Sequence, residues 1–130
     1  MERLQIKTGG RNQLLDVTEQ IARLVRPHGK DAKAVMVYVP HTTAGILINE
    51  CADPCVAADI LEHLEMLVPP SASYRHSEGN SDAHIKASIV GSSVLVPVTG
   101  GELSLGTWQG IFFAEFDGPR SRHVYVTFLS

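Results

Sequence analysis

A short polar run, His76–His84, contains the densest set of reactive side chains in the sequence and reads HSEGNSDAH. It has two histidines, two acids and an asparagine, and apolar segments lie on both sides of it. Imidazole and carboxylate groups bind borderline divalent metals and are the usual proton shuttles. Ser, Gly, Asn and Asp are also the commonest turn residues. The run therefore predicts either a site loop on a rigid scaffold or an ordinary surface loop.

Two further polar clusters adjoin predicted strands. The segment 40–44, PHTTA, places His41 and two hydroxyls directly after an apolar strand. The segment 115–122, EFDGPRSR, offers two carboxylates and two guanidinium groups near the end of another strand. Strand ends are rigid and face loops, which suits a site. For His41, an ordinary turn with a capping histidine is an equal alternative.

If the three clusters converge, they place metal ligands beside arginines. A catalytic zinc site uses about three protein ligands and one open position, and His41, His76 and His84 would supply the three. Arginine recognises phosphate through its planar fork of donors. The combination predicts a phosphate-ester or diphosphate site with a divalent metal, zinc or magnesium. No HExxH, Walker loop, GxSxG or paired CxxC motif occurs in the chain.

The elements that must position these clusters are strands with two or three helices between them. Asp53-Pro54 predicts a helix start and Pro69-Pro70 its end. Ser81 or Asp82 is expected to cap a short helix that Gly91 stops, and Asp16 or Thr18 caps an earlier one. The pattern predicts an α+β fold with a mainly antiparallel sheet. The predicted strands cover 4–8, 14–17, 34–39, 46–48, 94–98, 108–116 and 123–129.

Composition limits the classes of function. The chain has 130 residues and 44% hydrophobic content, which predicts one domain, 1–130, with a core of its own. A net charge of −3 and a pI near 6.0 argue against a nucleic-acid partner. No apolar run has membrane-spanning length, and the polar N-terminus predicts no signal peptide, so we expect a cytoplasmic protein. Cys51 and Cys55 are predicted to be small buried or half-buried packing residues, although Cys55 would be more reactive in a first helical turn.

Three segments together resemble the YjbQ-like family of small bacterial and archaeal proteins. They are HTTAGILINE with Asp59, then YRHSEGNSDAHIKASIVG, then LSLGTWQGIFFAEFDGPRSR. The resemblance covers nearly the whole chain, and GTWQ followed by EFDGPR is its most specific part. It implies a homotrimeric α+β protein with a mainly antiparallel sheet. It also implies, as a main or a side activity, that of a secondary thiamine-phosphate synthase, in which a pyrimidine diphosphate is joined to a thiazole phosphate and pyrophosphate is released.

The motif positions of this resemblance provide the remaining candidate residues. Arg120 is expected to contact the leaving diphosphate, and Glu50 and Glu115 to bind a metal, act as a base or orient a histidine. An ion pair between Glu115 and Arg120 or Arg122 is an equal alternative. The predicted catalytic residues are His41, Glu50, Glu115 and Arg120. The predicted substrate-binding residues are Thr42, Thr43, Asn49, Asn80 and Gln109, of which Asn80 and Gln109 would bind a heterocycle edge.

Two functions follow from these observations. The first is an enzyme that acts on a small phosphorylated or heterocyclic substrate with a histidine-bound divalent metal. The second is a non-catalytic trimer that binds a metal or a metabolite. The first requires the three histidines and Arg120 to meet in one pocket.

Overall fold

Two antiparallel sheets and three α-helices make up the fold in a computed structural model that describes all 130 residues. The strands are β1 (Glu2–Lys7), β2 (Gln13–Asp16), β3 (Ala34–Tyr38), β4 (Ala44–Glu50), β5 (Ser93–Thr99), β6 (Glu102–Leu103), β7 (Gln109–Glu115) and β8 (Ser121–Leu129). The helices are α1 (Thr18–Val25), α2 (Pro54–Leu67) and α3 (Ser81–Val90), with a short 3-10 turn at Arg26–His28.

The strands divide into a large and a small sheet. The large sheet has the order β1-β8-β3-β5-β6, and the small sheet has the order β2-β7-β4. Every pairing is antiparallel. The predicted α+β class with a mainly antiparallel sheet is therefore confirmed. The two-residue strand β6 was not predicted, because so short a strand has no alternation to detect.

The main core lies between the two sheets. Alternate residues of β3 and β8, such as Val35, Val37 and Val124, are fully buried on the inner face of the large sheet. Ile46 of β4 and Phe113 of β7 face them from the small sheet. The period-2 pattern of these strands therefore has a single cause, since one face of each strand packs against the other sheet.

The middle strand of the small sheet, β7, is buried on both faces. All residues from 110 to 115 are buried, which explains the nearly continuous apolar run in the sequence. Phe113 packs in the core between the sheets, whereas Ala114 and the following Phe116 pack with Ala83 and Ala87 of α3. The small sheet is thus the middle of three layers, with α2 and α3 on its outer side.

The helix ends agree only in part with the predictions. Asp53 caps α2 by accepting a hydrogen bond from the main-chain nitrogen of Cys55 at 2.9 Å, as predicted. Gly91 ends α3 at a positive φ of 98°, also as predicted. The predicted caps of α3 were wrong, because Asn80 is the N-cap residue and Asp82 is buried in the helix. The side chain of Asn80 makes no capping bond and reaches the loop after β7 instead.

A buried charge network ties α3 to α2 and to the loop after β1. The side chains of Lys86 and Asp82 are about 1% and 0% exposed. Asp82 accepts two hydrogen bonds from Arg11, at 2.9 and 3.0 Å, and one from Lys86 at 3.2 Å. Lys86 also donates to Glu65 of α2 at 2.5 Å. Arg11 and Glu65, each 37% exposed, pair with the buried Asp82 and Lys86, so neither buried charge is left unpaired.

Both cysteines are exposed, so the prediction that they are packing residues was wrong for this chain. Cys51 follows β4 at the surface, and Cys55 lies in the first turn of α2. None of the three helices combines the length and the apolar character needed to cross a membrane.

Candidate functional site

A polar cleft of about 360 Å³ lies where the segment after β3, the start of α3 and the turn between β7 and β8 meet. No hydrophobic side chain lines it, so it suits a polar or charged ligand. We call it the histidine cleft. Its walls are Pro40, His41, Thr42, Thr43, Glu78, Asn80, His84, Asp117, Arg120 and Arg122. The three polar clusters of the sequence therefore do converge.

His41 contacts the neighbouring strand through one ring nitrogen. Its Nε2 lies 3.1 Å from both the main-chain nitrogen and the main-chain oxygen of His123 in β8. Pro40 has no N–H to donate to that strand, and the imidazole of the next residue contacts these groups instead. Burial, and then the positive charge of Arg122, lower the pKa of His41. His41 is therefore neutral at pH 7, and only its Nδ1 has no hydrogen bond within the chain.

His84 lines the cleft, whereas His76 lies next to His84 but is not among the lining residues. Their ring centroids are 5.3 Å apart and the rings meet edge to face. His84 is half-buried in the first turn of α3, whereas His76 is exposed and lies 3.6 Å from a carboxylate oxygen of Glu78. His41 shares the cleft wall with His84. However, no three His, Cys, Asp or Glu side chains of the chain are grouped closely enough to hold a metal ion.

Arg120 lies at the cleft, bonded to the turn that carries it. Its Nη2 donates to Asp117 Oδ2 at 2.8 Å, and its Nε donates to the main-chain oxygen of Asp117 at 2.8 Å. Asn80 Nδ2 donates to the same Oδ2 at 2.9 Å. About half of the Arg120 side chain is exposed. Oδ1 of Asn80 is buried and is the only such side-chain atom without a partner.

Glu115, predicted as a catalytic or metal-binding residue, lies behind the cleft and is not among the residues that line it. The carboxylate is fully buried and accepts hydrogen bonds from Thr8, Arg122 and the main-chain nitrogens of Phe116 and Asp117. Burial alone would raise the pKa of Glu115, but the hydrogen bonds from Arg122, Asp117 and Thr8 outweigh it and lower that pKa. Its oxygens are saturated by donors, so it orders the turn between β7 and β8. The alternative of an ion pair with Arg122 is the arrangement found, although it is buried and not on the surface.

Thr42 and Thr43 differ in availability. Thr42 is exposed on the cleft wall. Thr43 is buried, and its hydroxyl accepts a hydrogen bond from Arg122 Nη2 at 2.8 Å. Thr42 can therefore reach a ligand, whereas the Thr43 hydroxyl helps to fix the start of β4.

Three predicted site residues lie at the other end of the small sheet. Glu50 pairs with Gln109, whereas Ala44 pairs with Glu115 at the end near the cleft. Six residues of strand span about 20 Å, so Asn49, Glu50 and Gln109 do not reach the histidine cleft of their own chain. Gln109 Oε1 accepts from the main-chain nitrogen of Gly106 at 2.8 Å, and Asn49 Oδ1 accepts from that of Glu50 at 2.7 Å. Spacing in the sequence does not reveal which end of a strand a residue occupies.

Arg122 was one of the two guanidinium groups of the predicted cluster but was given no role beyond an ion pair with Glu115, and His123 was not predicted as part of the site. Arg122 is only 5% exposed and lies on the inner face of β8 with Val124 and Val126. The signal was in the alternation, because a charged residue that shares a face with two buried valines must have a buried partner. His123 contributes main-chain atoms, which no side-chain pattern predicts.

Comparison with known proteins gives one consistent result. Residues 2–130 match the family model described as UPF0047 protein YjbQ-like. The UPF0047 protein MJ1081 of Methanocaldococcus jannaschii is 52% identical over 122 residues, which cover 94% of this chain and 88% of that protein. YugU of Bacillus subtilis, also a UPF0047 protein, is 47% identical over 127 residues, covering 97% and 96%.

Solved structures show the same fold. An uncharacterised protein of the same family from Clostridium acetobutylicum superimposes with a TM-score of 0.96 at 47% identity and covers 99% of this chain and 100% of its own. The conserved hypothetical protein TT1486 from Thermus thermophilus has a TM-score of 0.93 at 40% identity, with coverage of 99% and 100%.

Proposed function

The chain belongs to the YjbQ-like UPF0047 family, and from the geometry of its histidine cleft we propose that it is an enzyme acting on a small phosphorylated substrate. One observation carries the proposal: two imidazoles and two arginines, from three separate parts of the chain, line one cleft that has no hydrophobic wall. Such a set can bind an anion and move a proton next to it. A merely structural turn would not need it.

The reaction proposed is the coupling of a pyrimidine diphosphate to a thiazole phosphate. The bond between a carbon of the pyrimidine substrate and its diphosphate oxygen breaks, and pyrophosphate leaves with the bonding electrons. A bond forms between that same carbon and the thiazole nitrogen. Negative charge therefore grows on the leaving group, where oriented positive groups stabilise it most. Arg120 supplies a half-exposed guanidinium at the cleft. We assign the proton that goes to the leaving oxygen to His84, and neutral His41 has an Nδ1 that makes no hydrogen bond within the chain.

The proposal includes a divalent metal, but one chain supplies only part of the ligand set that such a metal needs. His76 and His84 are adjacent imidazoles, and a catalytic zinc site needs about three protein ligands. His41 shares a wall with His84 but is not grouped with the other two. The residues of one chain therefore fall one ligand short of a zinc site, and the chemistry above is assigned to side chains alone.

A homotrimer is the proposed assembly. Tyr38 and Leu95, on strands of the large sheet, are 42% and 62% exposed, and Trp108 is 62% exposed. Exposed apolar groups on a sheet favour cover by another subunit. Light scattering coupled to size exclusion should give three times the 14.1 kDa chain mass, whereas a single-chain mass would contradict the trimer.

The proposed enzyme is tested by pyrophosphate release from the two thiamine precursors. We expect turnover that His84→Ala lowers by at least about 100-fold, which is the lower range for loss of a general acid or base. His63→Ala is the matched control, because His63 is exposed on α2 outside the cleft. Turnover that His84→Ala leaves unchanged would refute the cleft as an active site.

The second candidate, a non-catalytic metal- or metabolite-binding protein, is favoured by the adjacent imidazoles alone. Elemental analysis of protein purified without chelators discriminates it. About one zinc per subunit that His76→Ala abolishes, together with no turnover of phosphate esters, would establish this candidate. Metal that persists in His76→Ala would show that the pair of His76 and His84 does not hold the ion.

A further inference from the structure

The guanidinium of Arg122 is buried at the histidine cleft and is held on one side only. Its side chain is 5% exposed, yet it lines the cleft. Nε donates to Glu115 Oε1 at 2.8 Å, and Nη2 donates to Glu115 Oε2 at 2.5 Å. The same Nη2 also donates to the hydroxyl and main-chain oxygen of Thr43, at 2.8 and 3.4 Å. All of these bonds use two of the three guanidinium nitrogens.

The third nitrogen, Nη1, makes no hydrogen bond within the chain, although Nε and Nη2 are fully engaged. Nη1 is also not fully buried, since Asn80 Oδ1 is the only buried side-chain polar atom that has no hydrogen-bond partner. Nη1 is therefore the part of Arg122 that solvent reaches. The Arg122 side chain lines the cleft, and Nη1 is the nitrogen whose two N–H groups are free for a ligand there.

We propose that Arg122, through Nη1, is the fixed anion-binding residue of the histidine cleft and takes a phosphate or diphosphate oxygen of the substrate. The choice of ligand follows from the donor, because a guanidinium N–H recognises an anionic oxygen. His84 and the Thr42 hydroxyl line the same cleft and offer further donors to that oxygen. This inference rests on the proposed function and names the residue that contacts its substrate.

Rigidity separates Arg122 from Arg120. Arg122 is held by Glu115 and Thr43, both buried, and loses little freedom when a ligand binds. Arg120 is half-exposed and its Nε and Nη2 are bonded to Asp117. Arg120 therefore contacts the ligand from the mouth of the cleft, whereas Arg122 fixes where the anionic oxygen lies.

The test uses inorganic pyrophosphate as the probe and the full chain. Side-chain nitrogen signals of buried arginines are followed by NMR while pyrophosphate is added, and affinities are measured by calorimetry. We expect the Nη1 signal of Arg122 to shift with saturation. Arg122→Lys, which keeps a positive charge for Glu115 but lacks this nitrogen, should bind pyrophosphate at least tenfold more weakly. Lys30→Ala removes an exposed positive charge outside the cleft and should bind normally.

Circular dichroism and thermal unfolding show whether Arg122→Lys is folded, and the NMR titration of the wild-type protein gives an answer even if it is not. Pyrophosphate binding that moves Arg120 and leaves Arg122 unmoved would overturn the inference, and so would no binding at millimolar concentration. A shift of Arg122 without turnover of any phosphorylated substrate would support the anion site and refute the proposed enzyme. Turnover with Arg122 unmoved would support the proposed enzyme and refute the anion site.

Discussion

At the scale of single residues, the surroundings decide what an ionisable side chain does. Glu115 and Arg120 looked equally suited to catalysis in the sequence. The structure buries Glu115 under several donors, whereas Arg120 stays half-exposed at the cleft. The hydrogen bonds that Glu115 accepts hold its carboxylate against Thr8, Arg122 and the turn between β7 and β8. Glu115 therefore shapes the site through the turn it orders.

Glu115→Gln is expected to destabilise the fold strongly. The substitution leaves Arg122 as a buried charge without its counter-ion, and breaking a buried pair in this way costs about 3–5 kcal/mol. Urea unfolding at pH 7 would measure the loss. Glu62→Gln, on the exposed side of α2, should leave the unfolding free energy within about 0.5 kcal/mol of the wild type. A similar small change for Glu115→Gln would show that the buried pair contributes little.

The residue types in the sequence predicted where the site lies better than they predicted the role of each residue. His76 and His84 are eight positions apart across a turn, so their proximity follows from local sequence. The convergence of the segments 40–44 and 115–122 followed from their positions at strand ends. The role of Arg122 did not, because it depends on which of two strand faces is inside the molecule. The engagement of His41 by main-chain atoms of His123 likewise depends on long-range pairing.

At the scale of elements, buried charges fix α3 against its neighbours. Asp82 accepts hydrogen bonds from Arg11 in the loop after β1 and from Lys86 of its own helix. Lys86 also donates a hydrogen bond to Glu65 of α2. The hydrogen bond from Arg11 is the main cause that lowers the pKa of Asp82, and the bond from Lys86 adds to it against the effect of burial. Since α3 also carries His84, this network sets the position of one wall of the cleft.

The acid stability of the protein should report this network. The pKa of Asp82 is about 2 in the folded chain against an ordinary 3.8, a difference worth about 2 kcal/mol. This contribution is fully present above pH 4 and is lost as pH falls from about 4 to 2, because the unfolded chain binds the proton first. Asp82→Asn should lack it at pH 7 and show a flatter stability curve below pH 4.

Unfolding free energies between pH 2 and 7 would test this expectation. Asp31→Asn is the matched control, because Asp31 is exposed and has no ion pair. A wild-type curve and an Asp82→Asn curve that stay parallel below pH 4 would exclude Asp82 as the source of the acid sensitivity.

The contact of β4 with the end of α3 should tolerate no added methyl group. A Cβ at Gly45 would lie 2.6 Å from the main-chain oxygen of Gly91 and 3.0 Å from Cγ1 of Val90. Gly45→Ala must push this backbone away, and overpacking of this kind costs about 1–3 kcal/mol. Gly10→Ala, whose added Cβ would meet nothing closer than 3.7 Å, is the control for thermal unfolding. Equal stability of the two variants would show that the approach is looser than this distance.

Element prediction succeeded where one local signal dominates and failed where two compete. Asp53-Pro54 has a single reading, and α2 begins there. Asn80, Ser81 and Asp82 are all good cap residues, so the sequence could not choose among them. Their tertiary partners decided the outcome, since Asp82 is bonded to Arg11 and Asn80 to Asp117. Asn49, Glu50 and Gln109 were predicted as site residues by motif alone, and the register of β4 with β7 puts them at the end of the small sheet away from the cleft of the same chain.

At the scale of the whole molecule, β7 joins the three layers into one unit. Phe113 belongs to the core between the sheets, and Ala114 belongs to the core beneath the helices. A perturbation of either core therefore reaches β7 and, through its last residue Glu115, the turn that lines the cleft. No residue of α2 is fully buried. The helical layer therefore depends on its contact with β7.

Phe116→Ala should lower the stability of all three layers together. Phe116 is fully buried in the core beneath α3, and removing such a ring costs about 3–5 kcal/mol. Because β7 is common to both cores, we expect one urea transition with a lower midpoint, at which helical circular dichroism and the fluorescence of Trp108, the only tryptophan, change together. Phe128→Leu, at a half-buried position of β8 outside that core, should shift the midpoint less.

Protein concentration must be kept constant, since assembly would raise apparent stability. Loss of the helical signal at lower urea than the fluorescence change would show that the helices unfold as a separate layer.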